Sequence, residues 1–355
     1  MGKIRLLDLG SVPAIRSQSV YHAAAYAMRE ETPDTVILVS PQTPYVCIGR
    51  HQDPEKEVDL EYCRDRGLDV IRREVGGGAV YLDNDQLFIQ WVFHKKNLPA
   101  DIESCFSLYI HPIVETYRGL GVNAVMRPIN DIHVNGKKIG GTGAAEIEEA
   151  VVVVGSIMFR FDKQTMSRVL KVPSEKMRDK IFRSLETYMT TLEEELGETP
   201  DRKWVKELYI RKCAKTLGAQ MNLEEWSARE EEVAAELDRR FASEEWLFEK
   251  TGRLQSGIKI HEDVAVHQSD FKAPGGLVRV IVRIHGGRID EIAISGDFTM
   301  LPARGLNILE TELRGIHPSP EALRNCLEDA YRKNRIRSPG LTPAHLAEAI
   351  YGAIQ

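Results

Sequence analysis

The sequence predicts a mixed-sheet α/β domain, a helical connection and a small α+β domain. Three observations lead to this fold class. Strand-like runs rich in β-branched and aromatic residues alternate with helical segments through the first half of the chain. The sequence from about residue 163 to 248 is charged and helix-rich, and strand-like runs followed by two helices come after it. The predicted boundaries are 1–200 for the first domain, 201–251 for the connection and 252–355 for the small domain.

Each predicted element of the first domain rests on a local signal. They are an alanine-rich helix over 20–29, apolar strands over 35–39 and 45–48, helices over 54–66 and 104–118, and a long apolar strand over 151–161. Gly67 and Gly119 end the two later helices, because glycine readily takes the left-handed conformation that follows a helix. Pro112 marks a kink or a late start of the helix that contains it. The long strand has the unbroken apolar character of a strand buried on both faces.

The remaining elements come from composition and periodicity. Abundant alanine and glutamate predict a helix over 228–241, within the connection. The small domain is predicted to contain three strands, at 257–267, 277–285 and 289–295, and then two helices, at 319–334 and 343–354. Strands that precede helices in this way are typical of an α+β domain.

Length and composition are those of a cytoplasmic enzyme. A chain of 355 residues usually forms two domains, and 43% hydrophobic content supports ordinary cores. The sequence has no apolar run of about eighteen residues, and its first residues lack the apolar stretch of a signal peptide, so we expect neither a membrane span nor secretion. A net charge of −6 argues against binding to nucleic acid.

The cysteines predict reduced, mostly buried thiols. The chain has five, an odd number without close pairs, which argues against a disulfide framework and a zinc site. They are Cys47, Cys63, Cys105, Cys213 and Cys326.

Three consecutive glycines, Gly76 to Gly78, predict a close approach between backbone and ligand, because glycine has no Cβ and tolerates positive φ. A phosphate-binding P-loop or a dinucleotide fingerprint needs a helix directly after its glycines. Here strand-like sequence lies on both sides, at 68–72 and at 79–81 and 87–93. The glycines therefore join strand to strand, which excludes those two readings. A flexible hairpin connection is the simpler alternative.

Asn135-Gly136 is the strongest local signal for a two-residue hairpin turn. Such a turn predicts four cross-strand pairs: Val134 with Lys137, His133 with Lys138, Ile132 with Ile139, and Asp131 with Gly140. Because strand side chains alternate faces, the pairing places Ile132, Val134 and Ile139 on an apolar face and Asp131, His133 and Lys138 on a polar face. Lys137 falls with the apolar set and can extend to water. A solvated polar face is the alternative interpretation.

Segments 72–83 and 130–141 together resemble the two signatures of lipoate-protein ligases, members of the biotin/lipoyl-ligase superfamily. The resemblance runs from about residue 11 to 162. Glu245-Trp246 is similar to a Glu-Trp segment of that family, and residues 292–298 are similar to a strand of its accessory domain, here fused at the C-terminus. The resemblance implies the superfamily's mixed-sheet catalytic fold with a small α+β accessory domain.

The resemblance also implies a reaction. Lipoate or octanoate is activated with ATP and Mg²⁺ as acyl-AMP and passed to a lysine of a lipoyl carrier protein, either a lipoyl domain or a relative of the glycine-cleavage H-protein. Lys138 is the implied catalytic residue, which contacts the acyl carboxylate and the α-phosphate. Asn130 and Asp131 help to hold the nucleotide, and Asp131 is the implied metal ligand. The implied lipoyl-AMP-binding residues are Arg73, Val75, Gly76, Gly77, Gly78, Ala79, Asp83, Asn130, Asp131, His133 and Gly141. We expect the C-terminal domain to take part in adenylation.

The chain departs from the family at three positions, and two alternative functions remain. Val75, Leu82 and Ala145 stand where relatives often have polar residues, which predicts a more apolar acyl pocket. Octanoyltransferases of the superfamily use a cysteine just before the lysine hairpin, whereas residues 121–132 contain none and Cys105 is predicted to be a core residue. The loop of biotin ligases has a Gly-Arg-Gly-Arg sequence, which Gly76-Gly77-Gly78-Ala79 does not resemble. A catalytically silent lipoate-binding regulator is the second alternative.

Overall fold

The computed structural model describes residues 2–99, 101–128, 130–249 and 264–355. They form two compact units. The first falls within Met1–Cys47, Val58–Ile71 and Val80–Trp246, and the second within Ile48–Glu57, Arg72–Ala79 and Leu247–Gln355. The glycine segment, residues 72–79, therefore belongs to the same unit as the C-terminal part of the chain.

The first unit is built on a mixed sheet of eight strands. The chain's first eleven strands are β1 (Gly2–Val12), β2 (Thr35–Pro41), β3 (Tyr45–Ile48), β4 (Asp69–Arg72), β5 (Val80–Leu82), β6 (Gln86–His94), β7 (Ala124–Arg127), β8 (Asp131–Val134), β9 (Lys137–Ile147), β10 (Ala150–Met158) and β11 (Ala219–Leu223). The large sheet has the order β11-β1-β2-β6-β10-β9-β8-β7, and β4-β3-β5 form a small sheet. β1 is parallel to β2 and β11, whereas β6 is antiparallel to β2 and β10.

Helices cover both faces of the large sheet. The chain's first ten helices are α1 (Ala14–Ala27), α2 (Pro54–Glu57), α3 (Leu60–Asp65), α4 (Ile102–Gly119), α5 (Lys163–Val169), α6 (Glu175–Tyr188), α7 (Leu192–Leu196), α8 (Arg202–Leu217), α9 (Ala228–Phe241) and α10 (Glu244–Leu247). Successive residues of β6 identify the faces. Trp91 donates a hydrogen bond to Tyr209 of α8, whereas the Gln90 amide donates to the Ser17 carbonyl of α1.

The second unit has a sheet-and-helix core. Its C-terminal part contains the antiparallel strands β12 (Val264–Ala273), β13 (Gly276–His285) and β14 (Arg288–Gly296), followed by α11 (Gly305–Glu312), α12 (Pro320–Asn334) and α13 (Pro343–Ile354). Apolar side chains of β13 and β14 pack against those of the three helices, for example Val280 against the cluster that includes Leu309 and Ile350. This arrangement confirms the predicted α+β character.

The predicted mixed-sheet fold is confirmed, with local corrections. The helix predicted over 54–66 is two helices, because Asp59 caps a new helix by accepting a hydrogen bond from the Tyr62 amide. The sequence analysis missed α11 and the edge strand β11, which pairs with β1. The strand predicted over 257–267 lies partly outside the described residues. The three-part domain division stays a prediction, although the described part of the connection up to Trp246 lies within the first unit.

The thiols agree with the expectation for the cysteines. All five cysteines are free, and four of them are buried, as predicted. No helix among the described residues combines the length and the apolar character that crossing a membrane requires.

Candidate active site

The hairpin of β8 and β9 has the predicted turn, but only part of the predicted cross-strand register is correct. Asn135 and Gly136 both have positive φ, 50° and 83°, as a two-residue hairpin turn requires. Val134 pairs with Lys137 and His133 with Lys138, as predicted. Beyond them Ile132 pairs with Gly140 and Asp131 with Gly141, so Ile139 is an extra residue in a β-bulge.

The bulge brings the two charged side chains of the hairpin together. Lys138 Nζ lies 2.8 Å from Asp131 Oδ1, and the side chains keep 29% and 23% of their surface exposed. Gly141 makes this possible, since a Cβ there would stand 2.9 Å from Lys138 Nζ and 3.5 Å from Asp131 Oδ1. The lysine head therefore lies directly over a residue without a side chain. The predicted polar face is confirmed as the place where Lys138, Asp131 and His133 gather.

His133 connects this pair to helix α6. Its Nδ1 lies 3.3 Å from the Gly136 carbonyl oxygen, which can only accept a hydrogen bond from it. The Tyr188 hydroxyl lies 3.4 Å from Nε2, and the two rings meet edge to face. Nε2 is also 3.8 Å from Asp131 Oδ2. Sequence analysis missed Tyr188, because it is 55 residues away from His133 and carries no local signal.

Backbone contacts fix the rest of the hairpin. The Thr190 amide donates to the Lys138 carbonyl at 2.9 Å, which ties the strand of the lysine to the segment after α6. The Asn130 side-chain amide donates to the Thr142 carbonyl at 2.7 Å, and the Thr142 amide and hydroxyl both donate to the Asn130 carbonyl. Asn130 thus holds the start of β8 against β9.

The glycine segment is shaped by close backbone packing within the second unit. A Cβ on Gly76 would lie 2.7 Å from both the Phe298 carbonyl oxygen and the Thr299 Cα. The Gly77 amide donates to the same Phe298 oxygen at 3.3 Å, and Gly77 has a φ of 96°. Gly49 packs against the Gly77 carbonyl so closely that no Cβ would fit. The segment therefore takes its shape from the C-terminal part of its own unit.

Arg73 and its neighbours stabilise that segment. One terminal nitrogen of the Arg73 guanidinium donates to the carbonyl oxygens of Gly76 and Gly78, at 2.9 Å each. Val75 is fully buried, and its carbonyl accepts a hydrogen bond from the Arg50 amide. Ala79 is half-buried. These residues organise the loop itself, which places backbone groups rather than long side chains at its surface.

Asp83 occupies a third location, in the turn between β5 and β6. It lines a cavity of about 580 Å³ together with Gln42, Pro44, Tyr81, Asn84, Asp85 and Arg202, a lining without any residue of the β8–β9 hairpin. Burial, and next the nearby Asp85 carboxylate, raise the pKa of Asp83 to about 6. The structure thus places the predicted residues in three sets: the hairpin set with Asn130, the glycine segment, and Asp83.

Among the described residues, two further kinds of group bear on the chemistry: thiols that could act as nucleophiles and side chains that could bind a metal. Cys105 is buried in α4, and its thiol donates to the Pro99 carbonyl at 3.3 Å. Burial raises the pKa of Cys63 and of Cys213 to about 12, which disfavours the reactive thiolate. The described residues hold no group of three or more His, Cys, Asp or Glu side chains placed to bind a metal.

Comparison with known families identifies the chain. The model of the lipoyl protein ligase A/B catalytic domain matches residues 17–214, more than half of the chain. The chain belongs to this family. The model of the bacterial lipoate protein ligase C-terminus matches residues 265–350. The predicted family and the fused accessory domain are thereby confirmed.

Similar proteins include both ligases and transferases. Lipoate-protein ligase A subunit 1 of Thermoplasma acidophilum is 31% identical over 253 residues, which cover 68% of this chain and 95% of the relative. Octanoyltransferase LipM of Kyrpidia tusciae is 27% identical over 270 residues, covering 69% of this chain and 98% of the relative. The family membership therefore leaves the acyl donor open.

Solved structures show the same fold. The bipartite lipoate protein ligase of T. acidophilum, studied with its E2 lipoyl domain, has a TM-score of 0.65 and 28% identity, and the match covers 73% of this chain and all of that one. A lipoate-protein ligase A bound with ATP has a TM-score of 0.59 and 25% identity, covering 70% of this chain and 98% of that one.

Proposed function

We propose that this protein is an ATP-dependent lipoate-protein ligase. It would activate lipoate or octanoate as acyl-AMP and transfer the acyl group to a specific lysine of a lipoyl carrier protein. The observation that carries the proposal is the Lys138–Asp131 pair, which holds an ammonium group at the open polar face of the hairpin at 2.8 Å from a carboxylate. Adenylation needs such a fixed cation, because negative charge develops on the phosphate.

The two half-reactions follow from the chemistry of the groups. A carboxylate cannot acylate an amine directly, since oxide is a very poor leaving group. In the first step a carboxylate oxygen of lipoate attacks the α-phosphorus of ATP and pyrophosphate leaves, while Lys138 stabilises the developing charge. In the second step the ε-amine of the carrier lysine attacks the acyl carbon, AMP leaves with the bonding electrons, and the surplus proton of the amine passes to solvent.

Asp131 fits a magnesium ion only as part of a nucleotide-bound site. Mg²⁺ commonly binds one or two carboxylates together with substrate phosphates and waters. Asp131 offers one carboxylate, of which Oδ1 contacts Lys138 and Oδ2 lies 3.8 Å from His133 Nε2. When bound, the ion would neutralise phosphate charge. Asp131 would then orient both the ion and the lysine.

The octanoyltransferase alternative has support in the relative from K. tusciae. It requires a thiolate that can reach an acyl thioester. Cys105 is buried, and its thiol donates a hydrogen bond to the Pro99 carbonyl. Residues 121–132 contain no cysteine. We therefore favour activation by ATP. The proposed acceptor is a lipoyl domain, the kind of domain studied with the T. acidophilum ligase, and a protein resembling the glycine-cleavage H-protein is a second acceptor to test.

The test is pyrophosphate release by the purified full chain. We expect release that requires lipoate, ATP and Mg²⁺, and transfer to a lipoyl domain added afterwards. Transfer from an octanoyl-carrier thioester without ATP would instead establish the transferase. Tight binding of lipoate without either reaction would establish a silent regulator.

A further inference from the structure

The cavity beside the turn between β5 and β6 holds chemistry that the proposed reaction does not use. It has a volume of about 580 Å³, and Asp83 and Asp85 contribute two carboxylates to its lining. Gln42 and Pro44, which are exposed, form part of its rim. A cavity of this volume is large enough for a small ligand or for a long side chain of another protein.

Tyr81 brings a buried polar group to this cavity. The residue lines it and is 7% exposed. The main-chain carbonyl of Tyr81 accepts a hydrogen bond from the Gln86 side chain, but the hydroxyl has no hydrogen-bond partner among the described residues. Burial, and next the charge of Asp83, raise the pKa of Tyr81, so the hydroxyl end of the ring faces the carboxylates of the cavity. A buried hydroxyl of this kind calls for a partner from outside the chain.

The carboxylates of the cavity lack a matching positive charge. Burial and the neighbouring Asp85 raise the pKa of Asp83 to about 6, and Asp162 adds to the repulsion. Arg202 is the one cation among the described residues that line the cavity, and its guanidinium stays 4.0 Å from Asp85 Oδ1. Its nitrogens instead donate to both oxygens of Asn84. A partly buried carboxylate without a paired charge is costly, so a bound cation would stabilise this site.

The available acceptors suit an ammonium group. Such a group carries three N–H donors and no acceptor, and the cavity offers the carboxylates of Asp83 and Asp85 and the hydroxyl of Tyr81. A metal ion is a poorer match, because the described residues hold no group of three or more His, Cys, Asp or Glu side chains placed to bind one. The ring of Tyr81 and the side chain of Pro44 give apolar surface for a methylene stem.

We propose that this cavity binds a primary alkylammonium group, held by the Asp83 and Asp85 carboxylates with the Tyr81 hydroxyl as a further acceptor. The same chemistry is found on a lysine side chain and on a free alkylamine. Binding is by charge and hydrogen bonds, so no covalent step is involved. The site goes beyond the proposed ligase reaction and does not depend on it, because no residue of the β8–β9 hairpin lines the cavity.

The first test is calorimetric titration of the full chain with pentylamine, which is a cation at about pH 7.5, and with pentanol as its neutral analogue. We expect the amine to bind and the alcohol not to bind. Asp83→Asn should weaken amine binding roughly tenfold or more, because it removes a charge-assisted hydrogen bond. Tyr81→Phe should weaken it by a smaller factor. Asp65→Asn is the matched control, because it removes an exposed carboxylate of α3 that does not line the cavity.

Proton release gives a second readout that nonspecific binding would not produce. A bound cation favours the ionised form of Asp83, so binding should lower its pKa from about 6 and release a proton near that pH. The affinity should therefore rise as the pH rises from about 5 to about 7. The charged and titratable groups around Asp83 are Asp85, Asp162, Tyr81 and Arg202. Titrations in two buffers of different ionisation enthalpy measure the release, which Asp83→Asn should abolish.

A lipoyl domain distinguishes the two sources of the amine. If a lysine side chain is the ligand, the apo domain should displace pentylamine, and the same domain with acetylated lysines should not. If the ligand is a free alkylamine, neither form of the domain should displace it. Both results uphold the site and assign its source.

Other results would overturn the proposal: no preference for pentylamine over pentanol, equal affinity in Asp83→Asn and Asp65→Asn, or no proton release near pH 6. If Asp83→Asn binds the amine normally but loses lipoyl-AMP formation, the cavity belongs to the adenylate site instead. Absence of pyrophosphate release in the wild-type protein would overturn the proposed function alone and leave the amine result standing. If a variant does not fold, the wild-type preference for the amine and its proton release decide.

Discussion

The β8–β9 hairpin and the glycine segment carry the two signatures of the family, yet they contribute different groups. The hairpin presents side chains, an ammonium and a carboxylate 2.8 Å apart. The glycine segment presents backbone, and its shape depends on the absence of side chains against Phe298 and Thr299. Substitutions in the hairpin should therefore change the chemistry with little effect on stability. Substitutions at Gly76, where a side chain would meet backbone, should change both.

The largest expected effect separates the two neighbouring lysines of the hairpin. Lys138→Ala should lower pyrophosphate release at least 100-fold, since loss of one charge-stabilising group costs about 3 kcal/mol in the transition state. Lys137→Ala should leave the rate near that of the wild type, because Lys137 pairs with Val134 at the tip of the hairpin. Equal losses in the two variants would contradict the assignment of the faces.

A smaller effect is expected from Gly141→Ala. The new methyl group would meet the Lys138 ammonium at 2.9 Å, and the flexible lysine would have to move off Asp131. Misplacement by about 1 Å can lower a rate by roughly 10- to 100-fold. The melting temperature should stay close to that of the wild type, because the atom displaced is the end of a side chain. A large drop in melting temperature with an unchanged rate would show that Gly141 is only a packing residue.

Gly76→Ala tests the other region. Here the methyl group would meet backbone atoms at 2.7 Å, so we expect a loss of about 1–3 kcal/mol in the free energy of unfolding together with weaker adenylation. Gly78→Ala is the control, because its nearest contact would be an ordinary 3.7 Å from Asp297 Cβ. The result would also bear on the prediction that the C-terminal domain takes part in adenylation. Thermal unfolding and pyrophosphate release that are equal in the two variants would contradict the packing argument.

The smallest effect concerns Asp83, which the structure places in neither region. Its folded pKa, about 6, is above the ordinary value of 3.8, so the folded state binds the proton more tightly than the unfolded state does. Stability should therefore fall as the pH rises from about 4 to 6. Asp83→Asn should raise the free energy of unfolding at about pH 7.5 by roughly 1–2 kcal/mol after allowance for solvent screening, and the difference should vanish below about pH 4. A destabilised variant at neutral pH would contradict this account.

Local sequence signals predicted the parts of the site that local physics determines. Asn135-Gly136 fixed the turn and the first two cross-strand pairs, because positive φ at both positions leaves few alternatives. The bulge at Ile139 could not be predicted, since it depends on how Asp131 and Gly141 meet across the strands. Contacts between distant segments left no local signal, as between Gly76 and Phe298.

Gln90 is an intermediate case. A glutamine within the apolar run 87–93 is visible in the sequence, and a polar residue in a central strand always raises the question of its partner. The sequence analysis predicted a more apolar acyl pocket from Val75, Leu82 and Ala145. The strand register that places Gln90 beside Val154 could not be predicted from the sequence.

The central claim is that the acyl group is activated as an adenylate and never becomes attached to the enzyme. Intact-mass spectrometry under denaturing conditions tests this most directly, after incubation of the full chain with lipoate, ATP and Mg²⁺ in the absence of a carrier. We expect the unmodified protein mass, with lipoyl-AMP released on denaturation and the same result when all five cysteines are replaced. A stable acyl adduct that disappears in Cys105→Ser would contradict the claim and establish a thioester route.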